Sequence, residues 1–142
     1  VVDDHRDMAD GIAMLLAEIP LDVETAYSAR EALVKLERSE FALVLTDIRM
    51  PGTTGLEVLA KARAVDPELP VILMTAQASL QSAVRAVNEG AYYYLQKPFA
   101  NDELLAICRR AVEARQLRRE NKALKKEMRR RERNGLHGHR QG

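Results

Sequence analysis

The stretch Phe41-Ala-Leu-Val-Leu-Thr-Asp47-Ile-Arg-Met-Pro-Gly-Thr-Thr-Gly55 decides the fold of this chain. Residues 41–46 form an apolar run that ends in a threonine, and a run this short predicts a buried strand rather than a helix. An acid, a proline and two glycines follow and predict a loop. Open parallel sheets bind their ligands where strands end in loops. Asp47 is therefore a candidate site residue, although it could instead only cap the next helix.

The rest of the chain repeats this alternation of strand and helix. Further strands are predicted at residues 1–2, 21–26, 71–75 and 92–95, and each precedes apolar positions at helical spacing. Strands that alternate with helices predict a parallel sheet covered on both faces. The expected fold is therefore α/β, a doubly wound five-stranded parallel sheet of flavodoxin-like order, (βα)5, with the last helix extended into a coiled coil.

Charge divides the chain into an acidic body and a basic extension. Residues 1–108 contain 9 Lys and Arg against 17 Asp and Glu, a net of −8, whereas residues 109–133 contain 12 against 4, a net of +8. The single cysteine, Cys108, excludes a disulfide framework and is interpreted as inert core. No apolar run approaches the roughly 20 residues of a membrane span, and no basic-then-apolar leader occurs. A cytoplasmic protein without membrane contact is expected.

Polar and charged side chains stand where four of the predicted strands end: Asp3, Asp4, Asp47, Thr75 and Lys97. The carboxyl ends of parallel strands share one edge, so three carboxylates would meet there. Two unit charges 4 Å apart repel by about 4 kcal/mol at an effective dielectric near 20, so the cluster predicts a cation. Oxygen ligands without cysteine or histidine favour Mg²⁺. An acid nucleophile, a hard cation, a lysine and a hydroxyl predict a site for a phosphoryl group.

Each of these residues also has an ordinary structural explanation. The Asp3-Asp4 pair could cap a helix, Thr75 could simply end its strand, and Lys97-Pro98 could be a turn. His5 could be taken for a metal ligand, but it is interpreted as the start of the first helix at the rim of the site. The structural explanations together require a coincidence at the same edge of four strands, which favours the site.

The motifs Asp3-Asp4, Asp47-x-x-Met50-Pro51-x-x-x-Gly55, Thr75-Ala76 and Lys97-Pro98 together resemble the receiver domain of two-component response regulators. The resemblance covers residues 1–113 and implies a protein that signals by phosphorylation.

This resemblance implies that Asp47 accepts a phosphoryl group from a sensor histidine kinase. It also implies a cation, Mg²⁺ or Mn²⁺, held by Asp4, by Asp47 and by the backbone carbonyl of Arg49. Asp3 would assist, through a water molecule.

The resemblance further implies roles at the neighbouring strand ends. Lys97 would hold a phosphoryl oxygen or the free carboxylate, and Thr75 would move to donate a hydrogen bond to the phosphoryl group. Tyr94 would then swing inward behind Thr75. Pro98 stands at the position of the family's cis peptide.

A closer resemblance points to the NtrC/DctD group of transcriptional regulators. It rests on Asp47-Ile-Arg-Met-Pro-Gly, Glu89-Gly-Ala-Tyr and Lys97-Pro-Phe-Ala. In that group the receiver is followed by an AAA+ ATPase that remodels sigma-54 RNA polymerase and by a DNA-binding domain. The motifs of neither domain occur in this chain, so contact with the polymerase would come only through output domains absent from it.

From residue 102 to about residue 133 nothing in the sequence breaks a helix. Its apolar seam has a 4-3-4 spacing and consists of Leu117, Asn121, Leu124 and Met128. An asparagine within such a seam favours a parallel pair in register, hence a homodimer through this helix and the receiver surface. A single solvated helix is the alternative. Direct DNA contact is not favoured, because the basic residues flank the seam instead of preceding it.

The predicted organisation is a receiver at 1–113, a coiled-coil dimerisation linker at 114–133 and a flexible tail at 134–142. The expected function is a phosphorylation-controlled switch rather than an enzyme. A stand-alone receiver and coiled-coil adaptor without transcriptional output is one alternative. Another is an Asp-nucleophile phosphatase of the haloacid-dehalogenase type, which expects a second acid two residues after the nucleophile, where this chain has Arg49.

Overall fold

The computed structural model describes residues 1–50 and 54–138, and over these residues the chain forms five helices and three strands. The helices are α1 (Arg6–Leu16), α2 (Ala29–Arg38), α3 (Gly55–Val65), α4 (Leu80–Asn88) and α5 (Asn101–Gly138). The strands are β1 (Val44–Asp47), β2 (Val71–Thr75) and β3 (Tyr93–Gln96).

The three strands form one parallel sheet in the order β1-β2-β3. Val44 pairs with Val71, and Ile72 pairs with Tyr93. Every residue of β1 and β2 is buried, as the fully apolar character of these strands predicts for a sheet covered on both faces. The expected α/β architecture with parallel strands is therefore present.

The expectation of five strands is not confirmed. Val2 forms single parallel bridges to Ala26 on one side and to Thr46 on the other, so residues 1–2 and 21–26 contribute bridges instead of strands. The bridges keep the flavodoxin-like order, with the first segment between the second and β1. In residues 21–25 every second side chain is charged and exposed. Extending the strand pairing along this segment would therefore bury little additional apolar surface.

Two apolar layers cover the sheet. On one face β1 and β2 pack against α2 and α3, through residues that include Leu36, Val58, Leu59 and Leu73. On the other face the sheet packs against α1 and α5, through residues that include Ile12, Leu16, Ile72, Met74, Leu104 and Cys108. Helices on both faces make this a doubly wound fold, and they leave only the ends of the strands open to ligands.

The first part of α5 packs against the sheet and the remainder leaves it. Arg115, with 7% of its surface exposed, is the last buried residue of the helix among those whose side chains are described. Its guanidinium lies 3.0 Å from the carboxylate of Asp66, the C-cap residue of α3, and Nζ of Lys122 lies 2.6 Å from a carboxylate oxygen of Glu68. Burial opposes ionisation of Asp66, but hydrogen bonds from the Glu68 N–H and from Arg115 hold its pKa below the ordinary value. These pairs fix where the basic helix departs.

The helix extends farther than the sequence pattern predicts. It ends at Gly138, whereas helix was expected only to about residue 133, so residues 134–138 of the predicted flexible tail are helical. Residues 139–142 of that predicted tail lie outside the described residues. No proline interrupts this segment, and adding residues to an existing helix is easier than starting a new one. In the part of the chain that the structure describes, no helix has both the length and the apolarity required to cross a membrane.

Candidate functional site

The parallel sheet brings the predicted strand-end residues to one edge. Asp47 ends β1 and Thr75 ends β2, while Lys97 directly follows β3. The backbone N–H of Lys97 donates to the carbonyl of Thr75 at 2.7 Å, and that of Asp47 donates to the carbonyl of Val2 at 2.9 Å. The second of these bonds places Asp3 beside Asp47, although residues 1–2 form no regular strand.

Lys97 links two buried carboxylates. Its ammonium Nζ lies 3.0 Å from Oδ2 of Asp3 and 3.0 Å from Oδ2 of Asp47. The side chain of Asp3 is 0% exposed and that of Lys97 is 13% exposed. Burial lowers the pKa of Lys97, but the hydrogen bonds and charges of the two aspartates outweigh it and raise the pKa above 10.5. Lys97 therefore stays charged and binds the two acids together.

Asp4 and His5 complete the acidic cluster at the rim. Nδ1 of His5 lies 3.3 Å from Oδ1 of Asp3 and 3.4 Å from Oδ1 of Asp4. One potential ligand atom from each of Asp3, Asp4, His5 and Asp47 lies within 4.8 Å of all the others. Oδ1 of Asp4 is buried without a hydrogen-bond partner, as expected of an oxygen that can bind a cation. The cluster therefore fits a hard divalent cation.

His5 lies both at the start of α1 and beside the acidic cluster. It is the N-cap residue of α1, in agreement with its interpretation as the start of the first helix, and its side chain makes no capping bond. Its ring instead faces the two aspartates that precede it. The sequence raised His5 as a possible metal ligand and interpreted it only as the start of the helix, whereas the structure brings its ring to the acidic cluster.

The loop after β1 is held by hydrogen bonds that backbone N–H groups donate. The N–H of Arg49 donates to Oδ1 of Asp47 at 3.1 Å, and the N–H of Gly55 donates to the carbonyl of Ile48 at 2.9 Å. A Cβ added at Gly55 would overlap the carbonyl oxygen of Asp47 and lie 2.9 Å from Cα of Ile48. Glycine is therefore required for α3 to begin so close to the acid. Residues 51–53 of the motif lie outside the described part of the chain.

Thr75 and Tyr94 occupy neighbouring strands behind the acids. The hydroxyl of Thr75 accepts a hydrogen bond from the N–H of Gln77 at 3.1 Å, which leaves its own O–H available as a donor. The hydroxyl of Tyr94 lies 2.5 Å from Oγ of Ser82, in the first turn of α4. The peptide bond between Lys97 and Pro98 is cis.

Sequence reasoning missed Ser82 as a neighbour of the site. The residue lies three positions after Ser79, the N-cap of α4, and the two serines form a reciprocal capping box. Serine at the N-cap is a recognisable signal, but the residue that completes a capping box is usually Glu or Gln, so Ser82 gives no such signal. Its additional contact with Tyr94 depends on how α4 packs on β3, and no local pattern reports that.

Cys108 takes no part in the site. It is fully buried in the layer between the sheet and α5, and burial raises the pKa of its thiol to about 11. A thiol this hard to ionise is unreactive at neutral pH, which agrees with its interpretation as inert core.

A family model described as the response regulator receiver domain matches residues 1–109. The chain belongs to this family. Curated relatives of the receiver include the C4-dicarboxylate transport transcriptional regulatory protein DctD of Rhizobium meliloti. It is 40% identical over 126 residues, which are 89% of this chain and 27% of DctD. The receiver therefore spans about a quarter of the length of that relative.

Solved structures resemble the receiver in fold as well as in sequence. A CheY-like receiver domain protein from Methanospirillum hungatei has a TM-score of 0.78 and 33% identity, covering 82% of this chain and 94% of that one. NtrX from Brucella abortus has a TM-score of 0.79 and 34% identity, covering 87% of this chain and 28% of that one. The resemblance to the NtrC/DctD group expected from the sequence is thus confirmed.

Proposed function

We propose that Asp47 accepts a phosphoryl group from the phosphorylated histidine of a sensor kinase. A carboxylate oxygen would attack phosphorus, the phosphorus–nitrogen bond would break, and the electron pair of that bond would return to the imidazole. The observation that carries the proposal is the buried Asp3–Lys97–Asp47 triad at the carboxyl edge of the sheet, with Asp4 beside it. Membership of the receiver family supports the same reading.

Asp4, Asp47 and the backbone carbonyl of Arg49 would hold Mg²⁺ or Mn²⁺, and Asp3 would assist through water. When bound, the ion supplies positive charge against the oxygens of the reacting phosphoryl group. Lys97 would hold a phosphoryl oxygen, since its ammonium already lies 3.0 Å from Oδ2 of Asp47.

Thr75 and Tyr94 would convert the modification into a change of surface. The free O–H of Thr75 would donate to the phosphoryl group, and Tyr94 would follow inward. Tyr94 contacts α4 through Ser82, and Thr75 is hydrogen-bonded to Gln77, in the segment that leads from β2 into α4. The surface of α4 and β3 would therefore respond to the state of Asp47.

Phosphoryl uptake at Asp47 is tested by mass. The chain mixed with acetyl phosphate and Mg²⁺ should gain the mass of one phosphoryl group, because the nucleophile and the cation ligands are all present. Asp47→Asn should abolish the gain, since an amide is not a nucleophile here. Asp22→Asn, at an exposed acid outside the cluster, serves as the matched control and should label like the wild type. Labelling that persists in Asp47→Asn would exclude this acceptor.

We further propose that the chain forms a parallel homodimer through α5. Three apolar seam residues of this helix are between 59% and 63% exposed: Leu117, Leu124 and Met128. Isolated charged helices are only marginally stable in water, and a second copy would cover the stripe and pair the Asn121 side chains. Exposed apolar residues on α4, including Leu80 and Val87, would add the receiver surface to this contact.

Sedimentation of two variants tests this dimer. A lysine within the seam should separate the chains, because its charge would be buried between two helices. Leu124→Lys should therefore sediment as a monomer at concentrations where the wild type is a dimer. Ala123→Lys, an exposed neighbour beside the seam, adds the same charge and should remain dimeric. Equal sedimentation of the wild type and Leu124→Lys would contradict the seam. Repeating the runs with beryllofluoride reports whether modification of Asp47 makes or breaks the pair.

In the whole protein the switch would control an AAA+ ATPase and a DNA-binding domain that activate sigma-54-dependent transcription. The support is the relationship to DctD and NtrC, which their names describe as transcriptional regulators. The switch is proposed as a phosphoacceptor rather than as an enzyme with an external substrate. The phosphatase alternative lacks its second acid, because Arg49 occupies that position.

A further inference from the structure

We propose that Ser82 is a positioning residue that tethers Tyr94 to α4 and thereby sets how readily the receiver switches. This inference rests on the proposed function, in which Tyr94 moves when Asp47 is modified. In this proposal Ser82, which is part of the α4 capping box, controls how easily Tyr94 moves.

The hydroxyl of Ser82 has four polar neighbours. Its Oγ lies 2.5 Å from the hydroxyl oxygen of Tyr94 and 2.9 Å from Oγ of Ser79. It also lies 3.3 Å from the backbone nitrogen and 3.1 Å from the carbonyl oxygen of Ser79. These contacts join the side chain of a β3 residue to the first turn of α4 through one oxygen atom.

A hydroxyl can donate one hydrogen bond and accept two. With Tyr94 as donor, Ser82 accepts from the Tyr94 O–H and from the Ser79 N–H, and it donates to the Ser79 carbonyl. This arrangement uses its full capacity. When Tyr94 departs, the hydroxyl of Ser79, 2.9 Å away, can donate to the lone pair that Tyr94 vacates. The hydrogen bond between Ser82 and Tyr94 is nevertheless lost, and that loss opposes the movement.

The tether lies on the route by which Thr75 reaches α4. Thr75 accepts a bond from the N–H of Gln77, and Ser79, two residues farther on, caps the helix. Tyr94 pairs with Leu73 on β2, two residues before Thr75. A shift of Thr75 toward a modified Asp47 therefore acts on both ends of the Ser82–Tyr94 bond, on the α4 cap and on the adjoining strand.

Because the bond exists in the unmodified receiver and Tyr94 would leave it on modification, it favours the unmodified state. Removing it should favour the modified state. Ser82→Ala should bind the phosphoryl mimic beryllofluoride, in the presence of Mg²⁺, about threefold to tenfold more tightly than the wild type, the change expected for one neutral hydrogen bond.

The experiment is a double-mutant cycle in the full chain. Beryllofluoride affinity is measured with Mg²⁺ for the wild type, Ser82→Ala, Tyr94→Phe and the double variant. Each single variant should bind more tightly, and the double variant should bind no more tightly than either, because both lose the same bond. Ser82→Thr, which keeps the hydroxyl, should bind like the wild type. Ser79→Ala weakens the α4 cap and leaves the bond in place, so it should lower the melting temperature without tighter binding.

A spectroscopic readout separates the tether from a general effect on helix stability. In chains labelled with 3-fluorotyrosine, the Tyr94 resonance is the one missing from Tyr94→Phe. In Ser82→Ala this resonance should move, without ligand, toward its position in the beryllofluoride complex. An unmoved resonance, or equal affinity of the wild type and Ser82→Ala, would overturn the tether while the proposed function stands. A wild type that binds no beryllofluoride would instead overturn the proposed function itself.

Discussion

Gly55→Ala is expected to lower the free energy of unfolding by about 3 kcal/mol, at the upper end of the usual effect of overpacking. The added methyl group would overlap the carbonyl oxygen of Asp47 and lie 2.9 Å from its carbonyl carbon and from Cα of Ile48. All three neighbours are backbone atoms, so no side chain can rotate away. Either α3 or the end of β1 must move.

The same displacement should impair the site. Asp47 lies between the hydrogen bonds of Lys97 and Arg49, and a shift of its carbonyl changes both. We expect phosphoryl uptake from acetyl phosphate to slow along with the loss of stability. Urea unfolding measures the stability, and mass measured over time gives the rate.

Gly11→Ala is the matched control. Gly11 lies inside α1, is exposed, and an added Cβ would meet no atom within 4 Å. Alanine is favoured over glycine within a helix by roughly 0.8–1.0 kcal/mol, so this variant should be more stable than the wild type. Both substitutions replace glycine with alanine, but Gly55→Ala should lower the free energy of unfolding and Gly11→Ala should raise it. A Gly55→Ala variant as stable as the wild type would show that the loop relaxes at little energetic cost.

The parts of the fold that the sequence predicts are those encoded by continuous local patterns. β1 (Val44–Asp47) and β2 (Val71–Thr75) are fully buried strands, because only a sheet covered on both faces buries every side chain. Residues 41–43, which belong to the first predicted apolar strand, precede β1 and are only partly buried. Ser28 and Ser79 cap α2 and α4 through their side chains, as is common for a serine at the start of a helix. Once parallel strands are granted, the meeting of Asp3, Asp47 and Lys97 follows, since their strand ends share one edge.

What the sequence did not predict depends on packing between distant segments. Residues 21–26 alternate like a strand, yet pairing is reduced to one bridge at Ala26. Arg115 and Asp66 are 49 residues apart in the chain, and their ion pair depends on the angle at which α5 passes the end of α3. The Ser82–Tyr94 contact likewise joins a helix to a strand. The charge composition predicts a basic extension, but it does not predict the residue at which the helix separates from the receiver.

Lys97→Met is expected to destabilise the receiver by about 3 kcal/mol at neutral pH, the lower end of the range for breaking a buried ion pair. Asp3 is fully buried and Asp47 nearly so, and both face the ammonium of Lys97. Methionine fills a similar volume but leaves two carboxylates close together without the charge between them. Lys61→Met removes a lysine from an exposed pair with Glu37 and should change stability little.

Alkaline pH should erase the difference between Lys97→Met and the wild type. The pKa of Lys97 in the folded chain is raised above the ordinary value of 10.5. Its contribution is therefore complete below the unfolded pKa and is lost as pH rises through the folded pKa. Unfolding free energies measured from neutral pH upward should stay apart until pH passes 10.5 and then converge. A gap that is unchanged far above that value would mean that Lys97 stabilises by packing and not by charge.

Mg²⁺ should restore much of the stability that Lys97→Met loses. The variant presents the same carboxylates without the competing ammonium, so a divalent cation would relieve more repulsion there than in the wild type. A ligand that binds only the folded state raises the free energy of unfolding by RT ln(1 + L/Kd), where L is the free ligand concentration. The rise in melting temperature on adding Mg²⁺ should accordingly be larger in Lys97→Met than in the wild type, and absent when Asp4→Asn is combined with it. If Mg²⁺ raised the melting temperature equally in both proteins, the cation would bind away from the Asp3–Asp47 pair. The role of Lys97 beside these two acids would then be limited to stabilising the fold.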